Sequence, residues 1–193
     1  MLVFYFAPGS SSMAPHIALH EAGLPFEGRP VSFAKREQRS AEFLERNPAG
    51  KVPLLLIEGR PLTEVAGILY YVAKAMPHVQ LWPASDPEGE AQVVSWMSFI
   101  ASTLHPARTQ GLDHVRKVYG IADRRFGGRE WAAGSYSIAD IHLFRLYWRM
   151  RNSIKPEPEA FPSLEAHYQR MMARPAVQRT IEIEQAIGYE LPV

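Results

Sequence analysis

The sequence predicts a small α/β domain followed by an all-helical one. Strand-like apolar runs alternate with helical periodicities up to about residue 76. A stretch at 77–87 then holds three of the chain's sixteen prolines, the composition expected of a domain boundary. Beyond it strand signals nearly vanish, and apolar residues recur at helical spacing. The expected domains are 1–77 and 88–193, with a linker at 78–87.

Taken in order, residues 2–6 form a short apolar strand closed by Ala7-Pro8-Gly9, and Ser10-Ser11-Ser12 supplies capping hydroxyls for a helix to about residue 22. Gly23 suits the position just past its end. Residues 26–33 read as a second strand. The polar segment 35–46 contains a helical stretch with Phe43 and Leu44 inward, ending at the turn-rich Asn47-Pro48-Ala49-Gly50. A buried strand at 52–57, a tight turn at 58–60 and an edge strand at 61–62 follow. Thr63 is the expected cap of a helix over 64–76. In the second domain, helices are expected over 88–104, 113–126, 137–152, 163–173 and 175–187. Ser137-Ile138-Ala139-Asp140 has the form of a capping box, and the basic run 145–151 reads as a solvated helix face.

Composition narrows the chemistry. The 193 residues are long enough to bury a sizeable core, and 47% apolar with 21% charged residues fits an ordinary globular protein. There is no cysteine, which excludes a disulfide framework, a thiolate metal site and a cysteine nucleophile. A formal net charge of +1 offers no general field for nucleic acid or membrane. The first residues read as a strand rather than a signal peptide, and no stretch approaches the ~18 apolar residues of a membrane span. A cytoplasmic protein without nucleic-acid or membrane partners is expected.

The chemistry-bearing residues converge if the strands share one sheet. The turn Pro8 to Ser12, the segment Lys51-Val52-Pro53 and the helix start Thr63-Glu64-Val65 then lie together. Two of these are helix N-termini, which favour an anionic ligand. Pro53 cannot donate to a ladder, so it belongs at an edge, a strand start or a cis turn, leaving Val52 able to pair its backbone with an extended peptide. His16 and His20 lack the His-Glu-x-x-His order and a third ligand, so no metal site is expected. Glu21 and Glu64 form no carboxylate pair at a diagnostic spacing. His105 ends or kinks a long apolar helix.

Together, Pro8-Gly9-Ser10-Ser11-Ser12-Met13-Ala14-Pro15-His16, Asn47-Pro48-Ala49-Gly50-Lys51-Val52-Pro53, Leu62-Thr63-Glu64 and Ser137-Ile138-Ala139-Asp140 resemble a bacterial glutathione transferase, closest to the beta class. The resemblance spans nearly the whole chain. It implies a thioredoxin-like N-terminal domain that binds glutathione as co-substrate, an all-α C-terminal domain with a hydrophobic pocket for an electrophile, and a homodimer. It also implies residue roles. Val52 would pair with the cysteinyl part of glutathione, and Pro53 would be the family's cis-proline. Glu64 and the amide of Val65 would hold the γ-glutamyl end. Lys35, with Arg36 as a register alternative, would meet the glycine carboxylate, assisted by Lys51. His105 matches a histidine near the glutathione sulfur.

Two departures accompany the resemblance. Val65 stands where the family commonly has Ser or Gly, and Ser11 stands where the beta class carries cysteine, with Ser12 on the adjacent serine. Tyr5 aligns with a tyrosine that activates glutathione in other classes. Serine can donate a hydrogen bond but cannot form a mixed disulfide, so the implied reaction is thiolate transfer helped by Ser11, Ser12 or Tyr5, with His105 nearby. A non-catalytic interaction protein and a binder that sequesters hydrophobic compounds are the alternatives. For the second, Trp96, Phe99, Tyr147 and Trp148 would supply aromatic surface, against core packing as their ordinary use.

Overall fold

The structure, a computed structural model, describes residues 1–83 and 86–190. Positions 84 and 85 of the expected linker and 191–193 of the expected second domain lie outside the described residues. The chain divides into two compact units, Met1–Val79 with Pro175–Val193, and Gln80–Arg174.

The first unit has the expected order β-α-β-α-β-β-α. Strand β1 (Leu2–Phe6) is apolar at every position, and it sits in the interior of a sheet ordered β2-β1-β3-β4. It pairs in parallel with β2 (Phe26–Pro30) and antiparallel with β3 (Leu54–Ile57), whose outer neighbour is β4 (Arg60–Thr63). Alternation along β1 divides its side chains between the two faces. Val3 and Tyr5 join Val31, Phe43, Val52 and Leu54 on one side. Phe4 and Phe6 stack at 5.8 Å, and both rings contact His16 of α1 (Met13–Glu21). Each large apolar side chain buried in this way contributes about 1.5–3 kcal/mol. Helix α1 also packs against α3 (Val65–Ala75) and α8 (Pro175–Ile187).

Four local expectations need correction. The second strand ends at Pro30 rather than 33, because proline brings no N–H to the ladder; the next amide, Val31, donates to Phe6 O at 2.7 Å. Ser12 occupies the N-cap position of α1 but makes no capping hydrogen bond, since its hydroxyl is used elsewhere. Thr63 stays in β4 opposite Leu54, so Glu64 becomes the residue before α3, at φ +66°. Helix α8, which the sequence groups with the helical domain, belongs to the first compact unit through its packing on α1. The helix stop expected at Gly23 is present. Gly23, at φ +62°, follows α1 and donates to His20 O while Leu24 donates to Leu19 O, the paired bonds of a left-handed helix stop. Ser40 caps α2 (Ala41–Arg46) by accepting from Phe43 N.

The second unit contains α4 (Pro87–Phe99), a π-turn at Ile100–Leu104, α5 (Leu112–Phe126), α6 (Ile138–Ile154) and α7 (Pro162–Met172). Helix α6 runs through its centre. It starts at the expected capping box, in which Asp140 Oδ2 accepts from Ser137 N at 2.9 Å and Ser137 Oγ accepts from Ala139 N at 3.3 Å. The other Asp140 oxygen accepts from Ala132 N and stands 3.2 Å from Nε2 of the buried His167. The basic run on α6 is not a solvated face: Arg145 is 5% exposed, and Arg151 bonds Glu165 at 3.0 Å over the Tyr168 ring. Trp96, Tyr147 and Trp148 are buried and Phe99 is half-buried, so the proposed aromatic surface is largely core.

His142 lies at the middle of this core, 1% exposed, with neither ring nitrogen hydrogen-bonded among the described residues. Burial, with His105 and Arg145 as neighbouring positive charges, pushes its pKa down to about 3. The unfolded chain therefore binds a proton that the folded chain refuses, and stability falls as pH drops from the ordinary histidine value near 6.5 toward about 3. His142→Leu is expected to lose less melting temperature than the wild type between pH 6.5 and pH 4; equal slopes in a thermal melt series would contradict it.

Candidate active site

The first unit gathers most of the sequence-derived site residues at one end of its sheet. The segment Pro8–Ser12 leaves β1 and starts α1. Gly9 sits at φ +71°, a conformation glycine adopts without steric cost, and its amide donates to Glu184 Oε2 of α8 at 2.6 Å. The other Glu184 oxygen accepts from His16 Nδ1 at 2.8 Å, and Glu184 is wholly buried. A carboxylate 175 residues away in sequence thus fixes the turn that carries the serines.

The serines do different things. Ser12 is 0% exposed; its hydroxyl accepts from Ala7 N and donates to Ala7 O, each at 3.1 Å. Ser10 Oγ donates to Ser12 Oγ at 2.7 Å and accepts from Ser12 N at 3.2 Å. These two close a hydrogen-bonded turn. Ser11 is only half-buried, and among the described residues its hydroxyl makes one long contact, Oγ to Val52 O at 3.5 Å. That distance is at the outer limit for O–H···O, so the hydroxyl proton is free to be given to a better acceptor.

Opposite it, the Val52-Pro53 peptide is cis. Val52 lies just before β3, so its backbone is outside the ladder, and among the described residues its amide has no acceptor. Glu64 holds its positive φ without a side-chain cap bond, and its side chain is exposed. A non-glycine residue in that region carries roughly 1–3 kcal/mol of strain. Val65 begins α3, where the first amides have no partner within the helix. Lys35, Arg36 and Lys51 are exposed, with Arg36 at φ +55°.

Tyr5 and His105 have other surroundings. Tyr5 projects to the α2 side of the sheet, edge-on to Phe43; its hydroxyl accepts from Arg29 at 2.9 Å, and the Arg29 and Arg46 guanidiniums lie over its ring. His105 belongs to the second unit, exposed after the π-turn, its amide donating to Ile100 O. Glu184 is the residue that sequence reading missed. A signal existed: Ala176, Val177, Thr180 and Glu184 occupy the inward stripe of α8, so an acid stood at a core position. His16 bonds Glu184, and among the described residues no cluster of His, Cys, Asp or Glu is arranged to hold a metal.

Comparison with known proteins gives the same assignment across the chain. A glutathione S-transferase of Xanthomonas campestris is 32% identical, the match covering 93% of this chain and 97% of its own. The beta-class glutathione S-transferase of Sphingomonas chungbukensis is 32% identical with a TM-score of 0.83, over 94% of this chain and 98% of its own. A sphingomonad glutathione S-transferase complexed with glutathione is 31% identical with a TM-score of 0.85, over 95% and 98%. Residues 1–74 match the glutathione S-transferase N-terminal domain and residues 85–175 the C-terminal domain, and the chain belongs to the glutathione S-transferase family.

Proposed function

We propose that this protein binds glutathione at the Pro8–Ser12, Val52 and Glu64–Val65 segments and transfers its thiolate to small hydrophobic electrophiles. The proposal includes a homodimer, as the resemblance implies, and the cytoplasmic location expected from the sequence. The observation that carries it is the placement of the Ser11 hydroxyl beside the Val52 carbonyl at 3.5 Å. An extended cysteinyl unit pairing with Val52 would bring its sulfur next to a hydroxyl whose proton is not otherwise committed. The sphingomonad relative complexed with glutathione supports the ligand.

The energetics are sufficient. Lowering a thiol pKa from about 8.5 by two units needs about 2.7 kcal/mol of preference for the charged form. One hydrogen bond to a charged acceptor contributes about 1.5–3 kcal/mol, and a helix N-terminus about 0.3–1. Ser11 at the start of α1 offers both. Ser12 is a poorer donor to an incoming sulfur because its proton already goes to Ala7 O, and the Tyr5 hydroxyl is turned toward Arg29 beside α2. Lys35 and Lys51 supply positive charge for the glycine carboxylate, with Arg36 as the neighbouring alternative. The strained backbone at Glu64 also favours a binding role over a purely structural one, and the buried Trp96 and Tyr147 weigh against a sequestering protein.

Three measurements test this reading. In Ser11→Ala, the pKa of bound glutathione, read from thiolate absorbance, is expected to rise by about one unit or more, and kcat/KM with an aromatic halide to fall about tenfold to a hundredfold. An unchanged thiol pKa contradicts the assignment. Ser12→Ala instead leaves the Ala7 amide without its acceptor, while Ala7 O keeps the Ser10 amide, costing about 1–3 kcal/mol in a urea titration, whereas Ser11→Ala unfolds at nearly the wild-type midpoint. Val65→Thr, which exchanges a methyl for a hydroxyl at the start of α3, is expected to lower the glutathione Kd about threefold. Unaltered affinity by calorimetry would show that the γ-glutamyl end lies elsewhere.

A further inference from the structure

Beyond α8 the chain turns at Gly188, φ +101°, and brings Glu190 onto the loop after β2. Ser32 Oγ lies 2.8 and 3.0 Å from the two Glu190 oxygens, and Ala34 N donates to Glu190 Oε2 at 2.9 Å. Ser32 Oγ in turn accepts from Lys35 N at 3.1 Å, which aims its proton at the carboxylate. Glu37 Oε2 takes the Ser32 amide at 2.8 Å and so fixes the loop without entering the carboxylate's donor set. A hydroxyl, a main-chain amide and the nearby Lys35 ammonium make up the donor set that recognises a carboxylate. These bonds and the Lys35 charge hold the Glu190 carboxyl below its usual range.

The same contacts border a cleft of about 280 Å³ whose lining includes Pro8, Ser32, Lys35 and Glu190. Pro8 is the first residue of the turn that carries Ser11, and Lys35 is the residue assigned above to the glycine carboxylate. We propose that Ser32 Oγ and Ala34 N, with Lys35, form the carboxylate subsite of the glutathione site, and that Glu190 is its internal occupant, which the glycine carboxylate displaces on binding. The proposal rests on the glutathione-binding reading. It adds Ser32 and Ala34 to the site and makes the segment after α8 a competitor built into the chain. Glu190 is solvent-exposed, so each of its contacts is weak and exchangeable. Its tether nevertheless keeps it at high local concentration. Apparent affinity for glutathione is then reduced by the fraction of molecules in which Glu190 is seated.

The test uses calorimetry on the full chain with glutathione and with glutathione esterified at its glycine carboxyl. In Glu190→Gln and Glu190→Ala, the glutathione Kd is expected to fall about threefold to tenfold with KM falling in parallel and kcat little changed, while the ester's Kd does not move. Adding Ser32→Ala to Glu190→Gln is expected to weaken glutathione again but not the ester. If wild type and variants bind glutathione equally, the internal competitor is refuted and the transferase reading stands. If glutathione and its ester gain alike, Glu190 acts as a steric cover and the carboxylate subsite is refuted. If no form binds glutathione, the functional reading itself fails.

Discussion

The carboxylate of Glu184 holds the candidate site together. A buried acid is costly unless its oxygens are satisfied, and here one takes the Gly9 amide and the other the His16 ring. Three pieces of chain are thereby joined: the turn after β1, the body of α1 and the final helix. Losing one member of such a buried hydrogen-bonded pair costs about 1–3 kcal/mol, because the other is left without its partner. The position of Pro8–Ser12 relative to Val52 is therefore a property of the packed unit rather than of the loop. This also explains why α8 is integrated into the first compact unit although it follows the helical region in sequence.

On that frame the serines divide their labour. Ser10 and Ser12 turn inward and satisfy the backbone at Ala7, while Ser11 is left at the helix start with an exchangeable contact. The chain has no cysteine, so the only thiol in the proposed reaction is brought by glutathione. A hydroxyl donor stabilises that thiolate without forming a bond to it. Such a site suits transfer rather than thiol–disulfide exchange.

Much of this was legible in the sequence because the signals are local. The unbroken apolar run of β1 identified a strand, Gly23 marked a helix stop, and Ser137 with Asp140 announced the start of the central helix α6. The misread positions depended on partners distant in sequence. Ser12 has the chemistry of a cap, yet the backbone of Ala7 competes for its hydroxyl. Thr63 looks like a cap, but pairing with β3 holds it in the sheet. Arg145 lies in a basic run that reads as solvated, while neighbouring helices bury it. Tyr5 is a candidate for the sulfur through its alignment with a tyrosine that activates glutathione in other classes, and Arg29 and Phe43 are its neighbours in the fold. Glu184 required knowing that α8 folds back onto α1.

The central claim is that Ser11, positioned through Gly9 and Glu184, donates to the sulfur of glutathione. A crystal structure of the glutathione complex tests it most directly. The account requires Ser11 Oγ within about 3.5 Å of the sulfur, the cysteinyl backbone paired with Val52, and Ser12 still bonded to Ala7. A sulfur contacted instead by Ser12 or Tyr5, or glutathione bound away from Val52, would contradict it.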